Sequence, residues 1–260
     1  MTQPTPYPDL NALLEAFSIQ ARASLGDDLI GVYLVGSFAL GGFDDDSDVD
    51  FLVVTRGDLT PVQEAEIQAM HGRLYDLKTP WAKHLEGSYI SAVRLRRGAD
   101  GSALLYLDNT ARALMWSDHC NNSVLRWTLY RHSVALHGLA ASTLLEPVTP
   151  DALRYEVRQT LRSWLDYIQT QPHSLETRWG QSHAVITHCR MLYTLREGAV
   201  ASKPAAVRWA LERLDSSWSG LIERSWRDRP NPSLKIALPA NLEDAKQTLE
   251  FVEYAATFNV

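Results

Sequence analysis

The chain has 260 residues, of which 45% are hydrophobic and 22% are charged, a composition that favours a folded globular protein over a disordered one. Its formal net charge is −6. This acidic balance disfavours nucleic acid as the main partner, because phosphate binding requires a basic surface, and it suits a cationic small molecule. Cys120 and Cys189 lie far apart without zinc-ligand spacing, so we expect reduced thiols.

The sequence favours neither membrane insertion nor export. It has no apolar stretch near the ~18 residues of a membrane span, and its first residues lack the pattern of a signal peptide. We therefore expect no membrane partner and a cytoplasmic location.

The first part of the chain alternates between helical and strand patterns. Apolar residues at helical spacing predict a helix over residues 9–25, and Pro61 begins a second helix that ends near residue 75. Apolar runs rich in β-branched residues predict strands over residues 30–35, 49–55 and 84–93. Together these elements predict an α+β domain, with helices packed on a mixed sheet.

The connector between the first two strands carries the most informative pattern. Gly36-Ser37 forms a turn after the first strand, and Asp48-Val49-Asp50 opens the second. Strand alternation places Asp48 and Asp50 on one face, about 7 Å apart. Both can then bind magnesium together with substrate phosphates. Gly36 lets backbone amides approach phosphate oxygens, and the Ser37 hydroxyl can donate to one of them.

The cost of burial decides between a catalytic site and a solvated acidic turn. Unpaired carboxylates at the entry to an apolar strand would cost several kcal/mol, so Asp48 and Asp50 are assigned to chemistry. Residues 44–46 are expected to form a solvated turn. Such a site needs a further acid, and Glu86, near the start of the third strand, is the candidate. Taken alone, Glu86 would be interpreted as an edge-strand surface residue.

The pattern changes beyond the third strand. Residues 111–137 are predicted to be helical, and the Glu-Pro-Val-Thr-Pro sequence of residues 146–150 indicates a linker. We place the boundary there, giving domains 1–148 and 151–260. No strand pattern follows Pro150, which predicts an all-α second domain. Its expected elements are a helix with Val157, Leu161, Trp164, Leu165 and Ile168 on one face, a helix ending at Gly198, helices over 204–214 and 241–258, and a loop at 230–232.

Two residue types are assigned structural roles. Three histidines lack zinc-ligand spacing and are expected to be satisfied structural residues, namely His119, His132 and His137. Three tryptophans lie on apolar helix faces and are expected in the core, namely Trp164, Trp209 and Trp218.

The strand and turn motifs resemble those of a known superfamily. The Gly-Ser turn, the Asp-x-Asp strand and the Leu85-Glu86 strand together are similar to DNA polymerase β-like nucleotidyltransferases. Later segments resemble the aminoglycoside 3''-adenylyltransferases, which modify streptomycin and spectinomycin. These segments are residues 131–138 (RHSVALHG), 145–148 (LEPV), 189–193 (CRMLY) and 202–210 (SKPAAVRWA). The likeness extends over most of the chain.

The resemblance implies a nucleotidyltransferase domain followed by a helical domain that closes the ATP and substrate cleft. It also implies magnesium-dependent transfer of AMP from ATP to a hydroxyl of an aminoglycoside-type antibiotic. The implied roles are magnesium binding by Asp48 and Asp50, triphosphate binding by Gly36, Ser37 and Ser47, proton abstraction by Glu86, and ATP contacts by Arg190 and Lys203 of the second domain.

The chain departs from the family pattern where substrates would bind. Where the family has an ATP-contacting tyrosine, this chain has Ser225-Trp226-Arg227. The family holds streptomycin with a tryptophan and acidic residues. Here Trp179 is present, but the nearby acid is Glu176 and the positions directly after Trp179 are neutral. Trp116 and Asp118 form a second such pair. Acceptor recognition is therefore expected to differ.

Two alternative functions stay open. An enzyme of the same chemistry could act on another small-molecule or protein hydroxyl, because a metal triad does not define the acceptor pocket. A nucleotide-binding regulator without turnover is disfavoured by the intact Asp48, Asp50 and Glu86. A polymerase or tRNA-end enzyme is disfavoured by the acidic charge. The expected partners are ATP and a cationic acceptor, and a monomer is favoured.

Overall fold

The computed structural model describes residues 3–45, 47–229 and 238–259. The chain divides into two compact units, Met1–Val148 and Thr149–Val260. The expected loop at residues 230–232 and the predicted acidic-turn residue Asp46 lie outside the described residues. None of the described helices is long and apolar enough to span a membrane.

The first unit is built on a six-stranded mixed sheet with the order β5-β4-β3-β2-β1-β6. Only the central pair β2 and β3 is parallel, and the other neighbours are antiparallel. The strands are β1 (Leu29–Leu34), β2 (Val49–Thr55), β3 (Leu85–Ser91), β4 (Leu104–Leu107), β5 (Leu114–Ser117) and β6 (Val134–His137). The helices are α1 (Pro8–Leu25), α2 (Gly36–Ala39), α3 (Pro61–Tyr75), α4 (Ala92–Arg97) and α5 (Ser123–His132).

Each face of this sheet is covered by its own apolar cluster. Phe51 and Tyr89 belong to the cluster shared with α1 and α3, whereas Leu52 and Ile90 belong to the cluster that includes residues of α4 and α5. Successive strand residues alternate between the faces, so Asp50 and Glu86 lie on the α4 and α5 side. The two central strands are therefore buried on both faces up to the end where these acids lie.

Side-chain capping defines the start of the helix that follows β2. Thr60 accepts a hydrogen bond from the Gln63 backbone, and the Gln63 side chain accepts one from the Thr60 backbone. This capping box, with Pro61 at the first helical position, defines the start of α3. The predicted strand over residues 49–55 and the predicted helix from Pro61 to residue 75 are confirmed.

The second unit is helical. Its helices are α6 (Pro150–Thr170), α7 (Arg178–Glu197), α8 (Lys203–Arg213), α9 (Ser219–Arg227) and α10 (Leu242–Ala256). Among its described residues, the only extended pairing is an isolated bridge between Thr177 and Pro239. Gly198 ends α7 in the left-handed conformation at φ 65°. The predicted fold class, a mixed-sheet α+β domain followed by an all-α domain, is confirmed.

The three tryptophans that were predicted to lie in the core pack in the second unit. Trp209 is buried in its core, and Trp164 and Trp218 are partly buried against the same cluster. Both cysteines are free, with Cys189 buried and Cys120 partly buried.

The helical prediction over residues 111–137 is wrong. Leu114–Ser117 is strand β5, which pairs with β4, and Val134–His137 is strand β6, which pairs with β1. Only the middle of the segment is helical. The Asn122 side chain accepts a hydrogen bond from the Leu125 backbone at 2.8 Å and so starts α5 at Ser123. Tertiary pairing overrides the local periodicity on both sides of that helix.

Candidate active site

Two carboxylates meet at the centre of the sheet. Asp50 of β2 and Glu86 of β3 are partners in the parallel register, and alternation places both side chains on the same face. Glu86 is not an edge-strand residue, because β3 is hydrogen-bonded to β2 on one side and to β4 on the other. Its side chain is only 14% exposed. The site therefore starts from a pair of acids fixed by backbone hydrogen bonds.

The Gly36-Ser37 segment lies against Asp50. It forms the first turn of the short helix α2, and the Val35 backbone N–H donates to the Asp50 carbonyl at 2.9 Å. Gly36 has φ +59°, and a Cβ atom at this position would overlap the Asp50 carboxylate. Only glycine therefore allows the turn and the acid to lie this close. Within the described residues, Ser37 Oγ is buried and has no hydrogen-bond partner.

Asp48 directly precedes β2 and is held by a residue that the sequence analysis missed. The Asn109 side-chain amide donates to Asp48 Oδ1 at 2.5 Å, and Asn109 itself is 3% exposed. Ser47, for which the resemblance implies a triphosphate contact, is hydrogen-bonded to Asp44. Its hydroxyl accepts from the Asp44 N–H and donates to the Asp44 carboxylate, each at 2.9 Å. Ser47 thus orders the turn that leads into Asp48.

Tyr106 of β4 holds Glu86. Its hydroxyl donates to Glu86 Oε1 at 2.6 Å and lies 3.2 Å from Asp108 Oδ1. Burial raises the pKa of Glu86 above its ordinary value, and the charge of Asp48 raises it further, while the Tyr106 hydrogen bond lowers it. A carboxylate whose pKa is raised toward neutral pH is a better proton acceptor in its ionised form.

His119 is the outer neighbour of this acid. Its Nε2 atom lies 3.7 Å from Glu86 Oε1, and its side chain is 66% exposed. The prediction that His119 is a satisfied structural histidine is therefore wrong, because the loop between β5 and α5 presents it to solvent beside Glu86. The partly buried Cys120 lies in the same loop.

The residues at this position fit a magnesium ion with a nucleotide triphosphate. Asp48 and Asp50 offer hard oxygen ligands, which Mg²⁺ prefers. The buried Ser37 hydroxyl, in the turn whose Gly36 lies against Asp50, has an unused hydrogen-bonding capacity. The close approach at Gly36 leaves backbone accessible where a side chain would block it.

Trp116 is not brought to these acids. It pairs with Leu105 on β4, which in turn pairs with Tyr89 on β3. Alternation therefore places Trp116 on the sheet face opposite to Glu86, where it is 55% exposed and lines a small cavity with Tyr89 and Leu105. Its expected partner Asp118 is exposed in the loop after β5.

The remaining predicted residues belong to the second unit. Trp179, near the start of α7, stacks on His183 with ring centroids 4.8 Å apart. Arg190, on the same helix, donates from Nε to the Ala201 carbonyl at 3.4 Å, two residues before Lys203 begins α8. Trp226, at the family's tyrosine position, is partly buried, and the Arg229 guanidinium lies 4.9 Å from its ring centre.

Tyr106 and Asn109 carry a signal that could have identified them. The segment Tyr106-Leu107-Asp108-Asn109 ends a short apolar run with polar groups, as the Asp-x-Asp strand begins with them. What the sequence alone does not give is the antiparallel register of β3 and β4, in which Ser88 faces Tyr106 and Gly87 faces Leu107. That register brings the end of β4 to the start of β3.

Comparison with known proteins agrees with both parts of the fold. Residues 19–90 match the family described as nucleotidyltransferase domain, and residues 143–255 match the family described as aminoglycoside adenylyltransferase, C-terminal domain. An aminoglycoside (3'') (9) adenylyltransferase of Klebsiella pneumoniae is 26% identical over 242 residues, which cover 87% of this chain and 86% of that protein. A spectinomycin 9-adenylyltransferase of Campylobacter jejuni is 20% identical over 239 residues, covering 88% and 86% of the two chains.

A solved structure has the same fold. The crystal structure of spectinomycin adenyltransferase AAD(9) from Enterococcus faecialis, with ATP and spectinomycin, matches with a TM-score of 0.73 at 16% identity. The match covers 95% of this chain and 99% of that one. The structural match shows a shared fold, and the two family matches show that the chain joins a nucleotidyltransferase domain to a C-terminal domain of the aminoglycoside adenylyltransferase type.

Proposed function

We propose that this protein transfers AMP from ATP to a hydroxyl of an aminoglycoside-type antibiotic of the streptomycin or spectinomycin class, releasing pyrophosphate. The observation that carries the proposal is the arrangement of Glu86 beside Asp50, with Gly36 against Asp50 in the turn that carries the unpartnered Ser37 hydroxyl. Relatives over most of the chain are named as an aminoglycoside (3'') (9) adenylyltransferase and a spectinomycin 9-adenylyltransferase. We further propose a cytoplasmic location, since ATP is present in that compartment. We also propose that the protein is a monomer.

The triphosphate is bound by the turn at Gly36 and Ser37. Ser37 donates to a phosphate oxygen, and the glycine lets backbone amides approach the same group. Asp48 and Asp50 would hold Mg²⁺, which when bound neutralises phosphate charge and favours departure of pyrophosphate. Asn109 keeps the Asp48 carboxylate oriented for this task.

Glu86 acts as the general base. Its ionised carboxylate accepts the proton of the acceptor hydroxyl, whose oxygen forms a bond to the α-phosphorus while the bond from that phosphorus to pyrophosphate breaks. Tyr106 holds the carboxylate in one orientation. Burial of Glu86 makes the proton transfer more favourable, because it raises the pKa of the acid that forms.

We assign two further roles to the second unit on the strength of the family resemblance. Arg190 and Lys203 bind the ATP phosphates, and the hydrogen bond from Arg190 to Ala201 supports a common location for them. Trp179 contacts the acceptor, with its ring stacked on His183. Because neutral residues follow Trp179, the acceptor is held by a different set of polar contacts from the one that the family resemblance implies for streptomycin.

The experiment that tests this function measures the product. Purified protein is incubated with ATP, Mg²⁺ and either streptomycin or spectinomycin, and the drug mass is then determined. Addition of one AMP to either drug is the expected result. If both drugs stay unmodified while the protein still binds ATP, the proposed substrate class is contradicted. The acceptor of AMP would then be a different hydroxyl compound.

A further inference from the structure

Three chemically different ligand groups converge at the proposed base. The Glu86 carboxylate, the His119 imidazole and the Cys120 thiol each place a ligand atom within 4.8 Å of the other two. His119 Nε2 and Glu86 Oε1 are already 3.7 Å apart. Glu86 comes from strand β3, whereas the other two come from the loop between β5 and α5. The cluster therefore depends on the folded structure.

The loop that carries the histidine and the cysteine is anchored at its next residue. The Asn121 N–H donates to the Asp118 carbonyl at 2.9 Å, which closes a turn around His119 and Cys120. The Asn121 side chain, 5% exposed, donates to the Asp100 carboxylate and the Ser102 carbonyl, each at 2.8 Å. These bonds fix the backbone on one side of the cluster, while the His119 side chain, which packs on one side against the Tyr106 ring, is 66% exposed.

This ligand set selects a different metal from the one that Asp48 and Asp50 fit. A thiol, an imidazole and a carboxylate are the ligands of tetrahedral zinc, whereas magnesium prefers oxygen ligands alone. Ligand atoms on tetrahedral zinc lie about 3.3–3.6 Å apart, given Zn–N near 2.0 Å and Zn–S near 2.3 Å. The present spacings reach this arrangement by a shift of about 1 Å in side chains, with water as the fourth ligand.

We propose that Glu86, His119 and Cys120 form an inhibitory binding site for zinc. The bound ion coordinates the Glu86 carboxylate, which would otherwise accept the hydroxyl proton. Glu86 therefore cannot act as the base while zinc is bound. Binding releases the Cys120 thiol proton to solvent. Because binding must displace this proton, we expect a reversibly bound ion. The binding site stands on these residues alone, whereas the inhibition rests on the proposed function.

Metal binding is tested directly on metal-free protein. Equilibrium dialysis against zinc should show one bound ion in the wild type, and Cys120→Ser and His119→Asn should each weaken binding at least about tenfold. Cobalt in place of zinc should give thiolate charge-transfer absorption in the wild type and not in Cys120→Ser. Matched controls are Cys189→Ala and His132→Asn, which change the same residue types elsewhere and should bind as the wild type does. Equal zinc binding by the wild type and both cluster variants would overturn the site.

Inhibition is tested separately in excess Mg²⁺. Zinc should suppress AMP transfer by the wild type, a chelator should restore it, and Cys120→Ser should keep its activity at the same zinc concentration. Full inhibition of Cys120→Ser, with the same concentration dependence as the wild type, would overturn the inhibitory role. If no acceptor supports turnover, the proposed function fails and the dialysis and cobalt results still decide the zinc site.

Discussion

Asp50 and Glu86 are register partners on β2 and β3, the parallel strand pair at the centre of the sheet. Their Cα positions are fixed by the hydrogen-bond ladder between β2 and β3, so neither acid depends on a loop for its place. The polar groups that orient the acids come from the next part of the sheet, with Tyr106 on Glu86 and Asn109 on Asp48. Backbone register therefore sets where Asp50 and Glu86 lie, whereas side-chain hydrogen bonds orient the carboxylates of Glu86 and Asp48.

Glu86→Gln should abolish turnover while ATP binding is retained. The amide keeps the size of the side chain but cannot accept a proton as a carboxylate does, so we expect kcat to fall by about two to four orders of magnitude. Activity and ATP affinity are measured on the same protein. Glu66→Gln, on the exposed face of α3, is the matched control and should leave both unchanged. Full activity of Glu86→Gln would remove Glu86 as the base.

Tyr106→Phe should lower kcat and shift the pH profile. Without the Tyr106 bond the Glu86 carboxylate is no longer held in one orientation, and misplacement of a catalytic group costs up to about a hundredfold in rate. The Tyr106 bond lowers the pKa of Glu86, so its loss raises that pKa and moves the acidic limb of kcat/KM to higher pH. Tyr75→Phe on α3 removes a hydroxyl elsewhere and should do neither. An unmoved acidic limb would show that Tyr106 does not act through Glu86.

Asn109→Ala should increase the magnesium requirement. The Asn109 amide donates to Asp48, and removal of such a supporting bond typically weakens metal binding by about ten- to a hundredfold. The half-maximal Mg²⁺ concentration for activity should rise accordingly, and saturating Mg²⁺ should restore much of the rate. An unchanged half-maximal concentration would contradict the assignment of Asp48 to the metal.

Gly36→Ala and Gly41→Ala separate backbone strain from the close approach to Asp50. Both glycines have positive φ, +59° and +68°, so each alanine is strained by a comparable amount of about 1 kcal/mol. Only at Gly36 would the new Cβ overlap the Asp50 carboxylate, and nothing lies within 4 Å at Gly41. We expect a small loss of stability in Gly41→Ala, a larger one in Gly36→Ala because Asp50 must move, and a severe loss of activity in Gly36→Ala alone. Equal activity in the two variants would contradict the phosphate-turn geometry.

His71 should make the first unit sensitive to acid. The ring is 2% exposed, is hydrogen-bonded to the Tyr89 hydroxyl at 2.7 Å, and burial lowers its pKa from 6.5 to about 3. Because the folded pKa lies below the unfolded one, the stabilisation is complete above about pH 6.5 and is lost as the pH falls toward 3. His71 therefore contributes a decrease of about 2 kcal/mol in unfolding free energy between about pH 7 and pH 5.

His71→Gln tests this contribution, because glutamine can keep a hydrogen bond to Tyr89 and does not titrate. Denaturant unfolding at both pH values should show a pH-dependent loss smaller by about 2 kcal/mol in the variant than in the wild type. The same pH dependence in both proteins would show that His71 does not carry it.

The sequence predicted those elements whose signals are local. Strand β2 is an apolar run, and α3 begins at a capping box and a proline, so both were identified from neighbouring residues. Strands β5 and β6 have four residues each, and β6 pairs with β1 about a hundred residues away. Their short patterns carry too little periodicity to compete with the helical pattern around them, and only tertiary pairing defines them.

Some residues of the candidate site can be identified from local sequence, and others only from the strand register. Asp48 and Asp50 stood out because acids at the end of an apolar strand are costly to bury, and Glu86 was a candidate only because such a site needs a further acid. Tyr106 and Asn109 join them only through the register of β4 on β3. The same register directs Trp116 to the opposite face, which no pattern within residues 114–117 reveals.

The most direct test of AMP transfer at the Asp48, Asp50 and Glu86 site is the rate of pyrophosphate release from ATP and Mg²⁺. Wild type and Asp50→Asn are compared with streptomycin, with spectinomycin and with no acceptor. We predict release that depends on at least one drug and is absent in Asp50→Asn. Release that is equal with and without drug, or that persists in Asp50→Asn, would contradict the account.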